Sequence, residues 1–319
     1  MGMPEAPATD KILLAAQLYE ALLRQLVLRP DRRLDAILVE MMSGNEENTA
    51  QLAQIDQLKA WLDSFRPLSP AVISELKQRF DVRFTYDSNA IEGNTLSLSE
   101  TELILTKGIT VGGKTLEEHL EVIGHKEAID YIEALSRSDA RIGEWEIRQI
   151  HSLVIRKIAP TEAGKYRQLD VKAAGTEHVY PPHYLLSELM AEFVQWLNES
   201  WAQLHPVVFA TEAHYRFVSI HPFVDGNGRT GRLLMNLLLL RAGYPIVSIS
   251  NRQRLAYIES LVRAQQTEDD LSALLALVCK SVSNSLIETL SVVASAADSK
   301  GKGLPFYQDV LTFLDELSE

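Results

Sequence analysis

Apolar residues recur three and four apart along most of this chain, as in ILLAAQLYEALLRQLVL at 12–28 and LLSELMAEFVQWL at 185–197. That spacing lines them along one face of a helix and predicts a mainly helical fold. Start signals agree with it. Ser69 stands before Pro70 at the head of AVISELKQRF, Ser99 pairs with Glu102 ahead of LILTKG, and Thr115 pairs with Glu118 at the head of EHLEVIGHKEAIDYIEAL. A hydroxyl followed three residues later by a carboxylate caps a first turn reciprocally, and proline suits the first helical position. Gly108, Gly112, Gly113 and Gly243 read as stops or turns. Two stretches break the period. Residues 161–183, TEAGKYRQLDVKAAGTEHVYPPH, mix Gly, Thr, Val and Tyr and end on a Pro-Pro stop, which predicts a short β-hairpin or extended flap. Residues 43–50, SGNEENTA, read as a polar loop.

The expected fold is therefore all-α: a helical core with a short β-hairpin flap and a helical N-terminal extension. A length of 319 residues exceeds one average domain, yet helical folds of this size share a core. The expected organisation is an N-terminal helical extension over 1–50, a linking region over 51–115, a core over 116–285 and a helical tail over 286–319. An apolar fraction of 46% beside 23% charged residues is that of a globular protein. The net charge of −12 argues against a nucleic-acid surface, which gathers basic side chains on one face. Nor does the short, acidic tail read as a DNA-binding unit. Cys279 is the single cysteine, so neither a disulfide framework nor a cysteine metal knuckle is available. The opening MGMPEAPATDKILLAAQ lacks the basic and apolar regions of a signal peptide, and Ala6 stands where myristoylation after Gly2 needs Ser or Thr. No uninterrupted apolar run approaches the about 20 residues that span a bilayer. A cytoplasmic protein without membrane or nucleic-acid partners is the expectation.

The chemistry concentrates in SIHPFVDGNGRTGRLLMNLLLLRAGYP at 219–245. The segment from Pro206 reads as a helix that delivers His221 at its end, and Pro222 prevents simple continuation. Gly226 and Gly228 let the backbone approach a ligand, and the helix after them is apolar nearly all round, hence buried. A small loop thus sits at the N-terminus of a core helix, where unpaired N–H groups and a partial positive charge suit phosphate. Arg229 and Arg232, three apart, add two fixed charges there. Asp225 is a candidate Mg²⁺ ligand, because that ion binds through one or two carboxylates plus phosphate oxygens. His221 is placed to take a proton from an attacking hydroxyl. The pattern is not a Walker loop: no Gly-Lys-Ser/Thr follows and no strand precedes it.

HPFVDGNGR with Thr230-Gly231-Arg232 resembles the signature of Fic-domain proteins, HPFx(D/E)GNGRxxR, at every fixed position, and the likeness extends over most of 55–285. The resemblance implies a helical core with a flap, and transfer of AMP from ATP to a hydroxyl side chain of a target protein. It implies His221 as general base, Asp225 as the Mg²⁺ ligand, and Gly226, Asn227 and Gly228 as the anion hole for the α- and β-phosphates. Arg229 and Arg232 would hold the β- and γ-phosphates. The phosphorylating Doc branch carries lysine where this chain has Gly228, so AMP transfer is favoured. The flap, about 168–183 with Val171 to Val179 as its tip, would receive the target segment by main-chain pairing, with Val171 and Lys172 as docking residues. Tyr257 resembles an aromatic near the base of the nucleotide.

A second motif stands against the first. Ser88 and Glu92 are four apart on one helical face that Gly93 ends, and a carboxylate in a last turn needs a cation. SNAIEGN within 88–94 resembles the inhibitory motif (S/T)xxxE(G/N) of the Fic branch that carries it N-terminal to the core. The resemblance implies that Glu92 pairs with Arg232 and withdraws it from ATP, with Ser88 bonding nearby. Two rival functions stay open: removal of AMP from a modified target, alone or beside transfer, using Glu92 and the same Mg²⁺ site, and a nucleotide-sensing regulator without turnover. Expected partners are ATP, a target protein or the chain itself, and a second copy if the N-terminal extension supports a dimer.

Overall fold

The computed structural model describes residues 46–172, 178–267, 270–296 and 306–317. Among these residues regular structure is helical throughout: α1 (Glu46–Ser64), α2 (Pro70–Ile91), α3 (Leu98–Lys107), α4 (Leu116–Ser136), α5 (Glu144–Ile155), α6 (Leu186–Ser200), α7 (Pro206–Ile220), α8 (Asn227–Arg241), α9 (Arg254–Gln266), α10 (Ser272–Ser295) and α11 (Tyr307–Glu316). Single 3-10 turns stand at His183–Leu185 and Asn251–Gln253. The all-α class follows the apolar period.

Helix α8 is the centre, with α7, α4, α5 and α2 packed on it. Leu233, Leu234, Leu237 and Leu239 on successive faces are each 0% exposed, so the helix is enclosed as its all-round apolar sequence requires. Helix α10 packs against α1 and α7. By length and composition α10 meets the requirement for crossing a bilayer, a point the search for uninterrupted apolar runs missed, because scattered serines and single charges lower its mean hydropathy too little. In this fold 61% of its most apolar window is buried. Leu274, Val278, Cys279, Val282 and Leu290 are core residues, which makes α10 a core helix of the bundle.

Most start signals hold. Ser69 caps α2 with Pro70 in its first turn, and Thr115 with Glu118 forms a complete box on α4. The box expected at Ser99 and Glu102 falls two residues earlier, at Ser97 and Glu100. Both registers read Ser-x-x-Glu. The earlier one wins because Asn94 Oδ1 accepts the Leu96 N–H and Glu118 accepts the Thr95 N–H, so the chain is already turned at Ser97. Residues 46–50, expected as part of a loop, open α1, where Glu47 complements the positive end of the helix. Helix α10 also runs unbroken through residue 285.

The expected hairpin pairing does not form among the described residues. The carbonyls of Leu169 and Pro181, which could have paired across two strands, accept instead from Arg167 Nη1 and Nη2 at 3.1 and 2.5 Å. Pro181 and Pro182 have no N–H to give a ladder. Flap residues 173–177, positions 1–45 of the extension and 297–305 of the tail lie outside the described residues.

Candidate active site

Helix α7 ends where His221 takes φ 52° and ψ 57°. It is the one non-glycine residue with positive φ among those described, a conformation that costs about 1–3 kcal/mol and is held only when the surroundings over-determine it. Here they do. The His221 N–H donates to Phe217 O at 3.1 Å, and its carbonyl accepts from Arg167 Nε at 2.9 Å. The imidazole Nδ1 lies 3.4 Å from Val218 O, and its ring lies against Tyr180 at 4.1 Å and 31°. Donation from Nδ1 leaves Nε2 with its lone pair. Burial pushes the His221 pKa down to about 4, against the Val218 bond, so the ring is neutral at pH 7.

After Pro222 the loop is fixed from two sides. Asn227 Oδ1 accepts the Phe223 N–H at 3.0 Å while its Nδ2 donates to Phe223 O at 2.9 Å. Phe223 stacks on His151 at 3.6 Å with 1° between the planes. His151 Nδ1 accepts the Gly164 N–H at 3.0 Å, which requires Nε2 to carry the proton that it donates to Asp225 O at 3.0 Å. Burial lowers this histidine to about 4 as well. Gly226 caps α8 at φ 77° and has no room for a side chain: an added Cβ would meet Ile155 Cγ1 at 3.0 Å and His151 Cδ2 at 3.3 Å.

The structure brings both predicted arginines to the start of α8, buried and paired. Arg229 Nη1 donates to Glu121 at 2.8 Å and Nη2 to Asp225 Oδ2 at 3.0 Å. Arg232 is 1% exposed; its Nε donates to Ser88 Oγ at 3.0 Å, and its Nη2 to Ser88 O at 2.8 Å and Glu92 Oε1 at 2.6 Å. Its Nη1 reaches Tyr257 Oη at 3.4 Å, and Tyr257 in turn donates to His214 Nε2 at 2.7 Å. Burial lowers His214 to about 3, keeping it the neutral acceptor of that bond. Tyr257 is thus a buried support of Arg232. A Cβ on Gly228 would lie 2.2 Å from Glu92 Oε1 and 3.1 Å from Arg232 Nη1. The Glu92 carboxylate therefore rests against the first turn of α8, where an anion is favoured.

Val171 is partly exposed and Lys172 exposed, both on the first limb of the flap. Sequence reasoning missed Glu121, His151, Arg167 and Tyr180. Arg167 and Tyr180 lay inside the 161–183 stretch read as a hairpin or flap, whereas Glu121 and His151 belong to α4 and α5 and carry no local signal. Taken together, an anion-suited helix start, two buried arginines, an exposed acid and a neutral histidine define a site that can hold a polyphosphate and accept a proton.

Comparison with known proteins identifies the family. The family described as Fic/DOC matches residues 141–239. The protein adenylyltransferase Fic of Drosophila willistoni is 40% identical over 217 residues, 68% of this chain and 43% of its own length. That of Drosophila erecta is 37% identical over 82% of this chain and 55% of its own. The structure of Fic-1 (aa134–508) from C. elegans superposes with a TM-score of 0.71 at 32% identity, covering 88% of this chain and 83% of that one. The chain belongs to the Fic/DOC family. It spans about half the length of the curated relatives it matches.

Proposed function

We propose that this chain transfers AMP from ATP to a hydroxyl side chain of a target protein, and that Glu92 restrains it. The observation that carries the reading is the Glu92 carboxylate, seated on the first turn of α8 and bonded to Arg232, where the phosphates of a nucleotide would lie. The names of the relatives, protein adenylyltransferase, support the transfer itself. In the reaction, the target hydroxyl attacks the α-phosphorus, an oxygen–phosphorus bond forms to the target, and the bond to the β-phosphate oxygen breaks to release pyrophosphate. Neutral His221 takes the hydroxyl proton. The first-turn amides of α8, with Arg229 and Arg232, stabilise phosphate charge, so catalysis is chiefly positioning and electrostatics.

Asp225 fits a Mg²⁺ site: its side chain is 67% exposed beside that turn, and Oδ2 alone is engaged by Arg229. One carboxylate with phosphate oxygens and water is the donor set this ion accepts. When bound, the ion would neutralise phosphate charge. The test is label transfer into protein from α-labelled and γ-labelled ATP, comparing wild type, Glu92→Gly and His221→Ala. The proposal requires α-label in Glu92→Gly and none in His221→Ala; γ-label, or no label in any variant, would sink it. A second reading is removal of AMP, favoured by the 38% exposure of Glu92, which leaves its carboxylate open to a water. Loss of AMP from a modified protein that requires Glu92 would select it.

A further inference from the structure

Arg167 holds no phosphate, metal ion or proton in the proposed reaction, yet it is among the largest fully buried side chains of the described residues, at 1% exposure. Its carboxylate partner, Asp170, lies 3.7 Å away and is 67% exposed, so that charge is mostly solvated. The buried guanidinium is satisfied by carbonyls instead. Nε donates to His221 O at 2.9 Å, Nη1 to Leu169 O at 3.1 Å and Nη2 to Pro181 O at 2.5 Å. The Arg167 N–H donates to Pro222 O at 3.0 Å. These acceptors belong to different parts of the chain. His221 and Pro222 are the turn that presents the base; Leu169 and Pro181 are the two limbs of the flap. Asp170 closes the limbs a second time, accepting from the His183 N–H at 2.9 Å and contacting its Nδ1 at 3.0 Å. Tyr180, one residue before Pro181, is thereby laid on the His221 ring.

We infer that Arg167 is a positioning residue that locks the catalytic histidine turn and both limbs of the flap into one body. A hydroxyl presented along the flap then meets Nε2 of His221 in a fixed relation, and the left-handed backbone of His221 is held without a ligand. The planar fork matters: three donor positions serve three carbonyls at once, which a lysine ammonium on a flexible stem does not reproduce. No contact of Arg167 touches the arginines or amides assigned to phosphate. Its loss should therefore reduce turnover onto protein while leaving nucleotide binding alone. The inference rests on the AMP-transfer reading.

The experiment uses the full chain carrying Glu92→Gly, with Arg167→Lys and Arg167→Met added separately. Transfer of α-label to protein, affinity for a fluorescent ATP analogue, thermal stability and hydrogen exchange are measured together. The Glu92→Gly parent must transfer label; if it does not, the AMP-transfer reading fails first and separately. With an active parent, kcat in Arg167→Met should fall about 100-fold, the loss expected of a misplacement near 1 Å, with nucleotide affinity within twofold. The amides of residue 167 and His183, bonded here to Pro222 O and Asp170, should lose protection. Arg167→Lys, which keeps the charge and the stem, should fall between the parent and Met. Full kcat in Arg167→Lys, or a loss of nucleotide affinity parallel to that of kcat, overturns the inference. Should Arg167→Met fail to fold, the Lys variant and its exchange pattern decide alone.

Discussion

Replacing Glu92 by glycine should raise AMP transfer by about 5–30-fold, and the range follows from the contact it removes. Arg232 Nη2 and Glu92 Oε1 are 2.6 Å apart, with the arginine 1% exposed. A hydrogen bond between charged groups contributes roughly 1.5–3 kcal/mol when well shielded. The carboxylate is 38% exposed, so water screens it, and roughly 1–2 kcal/mol is the fitting share. Since each 1.4 kcal/mol corresponds to about tenfold, that share gives the stated range. Two effects act in one direction: Arg232 becomes available to phosphate, and a negative charge leaves the first turn of α8. Glu92→Gln separates them. It keeps the bulk and an acceptor but not the charge, so its rate should lie between wild type and glycine. The assay is initial-rate incorporation of α-label at saturating ATP, with the apo melting temperature read beside it. Arg232 keeps its two bonds to Ser88 but loses its carboxylate, so Glu92→Gly should melt a few degrees lower without nucleotide and recover more than wild type when ATP is added. A rate equal to or below that of wild type, with ATP bound, would refute the reasoning.

The acid limb of kcat/KM should lie near pH 4 rather than near the ordinary histidine value of about 6.5, because burial favours the neutral base down to that point; a limb near 6.5 would show that His221 is solvated or not the base. His151→Phe keeps an aromatic against Phe223 but strands the Gly164 N–H and the Asp225 carbonyl, so urea unfolding should show a loss of about 2–4 kcal/mol. Because His151 is lowered to about 4, its contribution is complete above about 6.5 and shrinks as pH falls toward 4, and the variant should lose stability less steeply across that window. Gly228→Ala places a methyl where Glu92 Oε1 now lies, 2.2 Å from it, and so breaks the restraint while filling the phosphate position; adding Glu92→Gly should not rescue its transfer, whereas full rescue would place the phosphates elsewhere.

The parts of this molecule that sequence made legible are those whose causes are local. A buried helix needs apolar residues all round, a first turn needs a cap, and a phosphate-suited helix start needs small residues beside fixed charge, so α8 and its loop could be read from adjacent positions. The misread elements were decided by side-chain partners that no periodicity marks. Ser97 displaced Ser99 as a cap because Glu118, on α4, had already turned the chain at Thr95. Among the described residues of the flap, the Leu169 and Pro181 carbonyls go to Arg167 rather than to a strand partner. Glu121 reaches Arg229 across 108 residues and leaves no spacing signature. Glu92 reaches Arg232 across 140, and only its resemblance to a known inhibitory motif marked it beforehand. The contacts of Glu118, Glu121 and Glu92 share a chemistry: each joins a carboxylate on or ending one helix to a polar group of another element, whose position only the packed core determines. The core places α2 and α4 beside the start of α8, and this brings Glu92 and Glu121 to the two arginines without either being specified locally. The proposed restraint would accordingly be a property of how α2 packs. Substitutions that loosen α2 from α4 or α8 should release Arg232 even when Ser88 and Glu92 are intact.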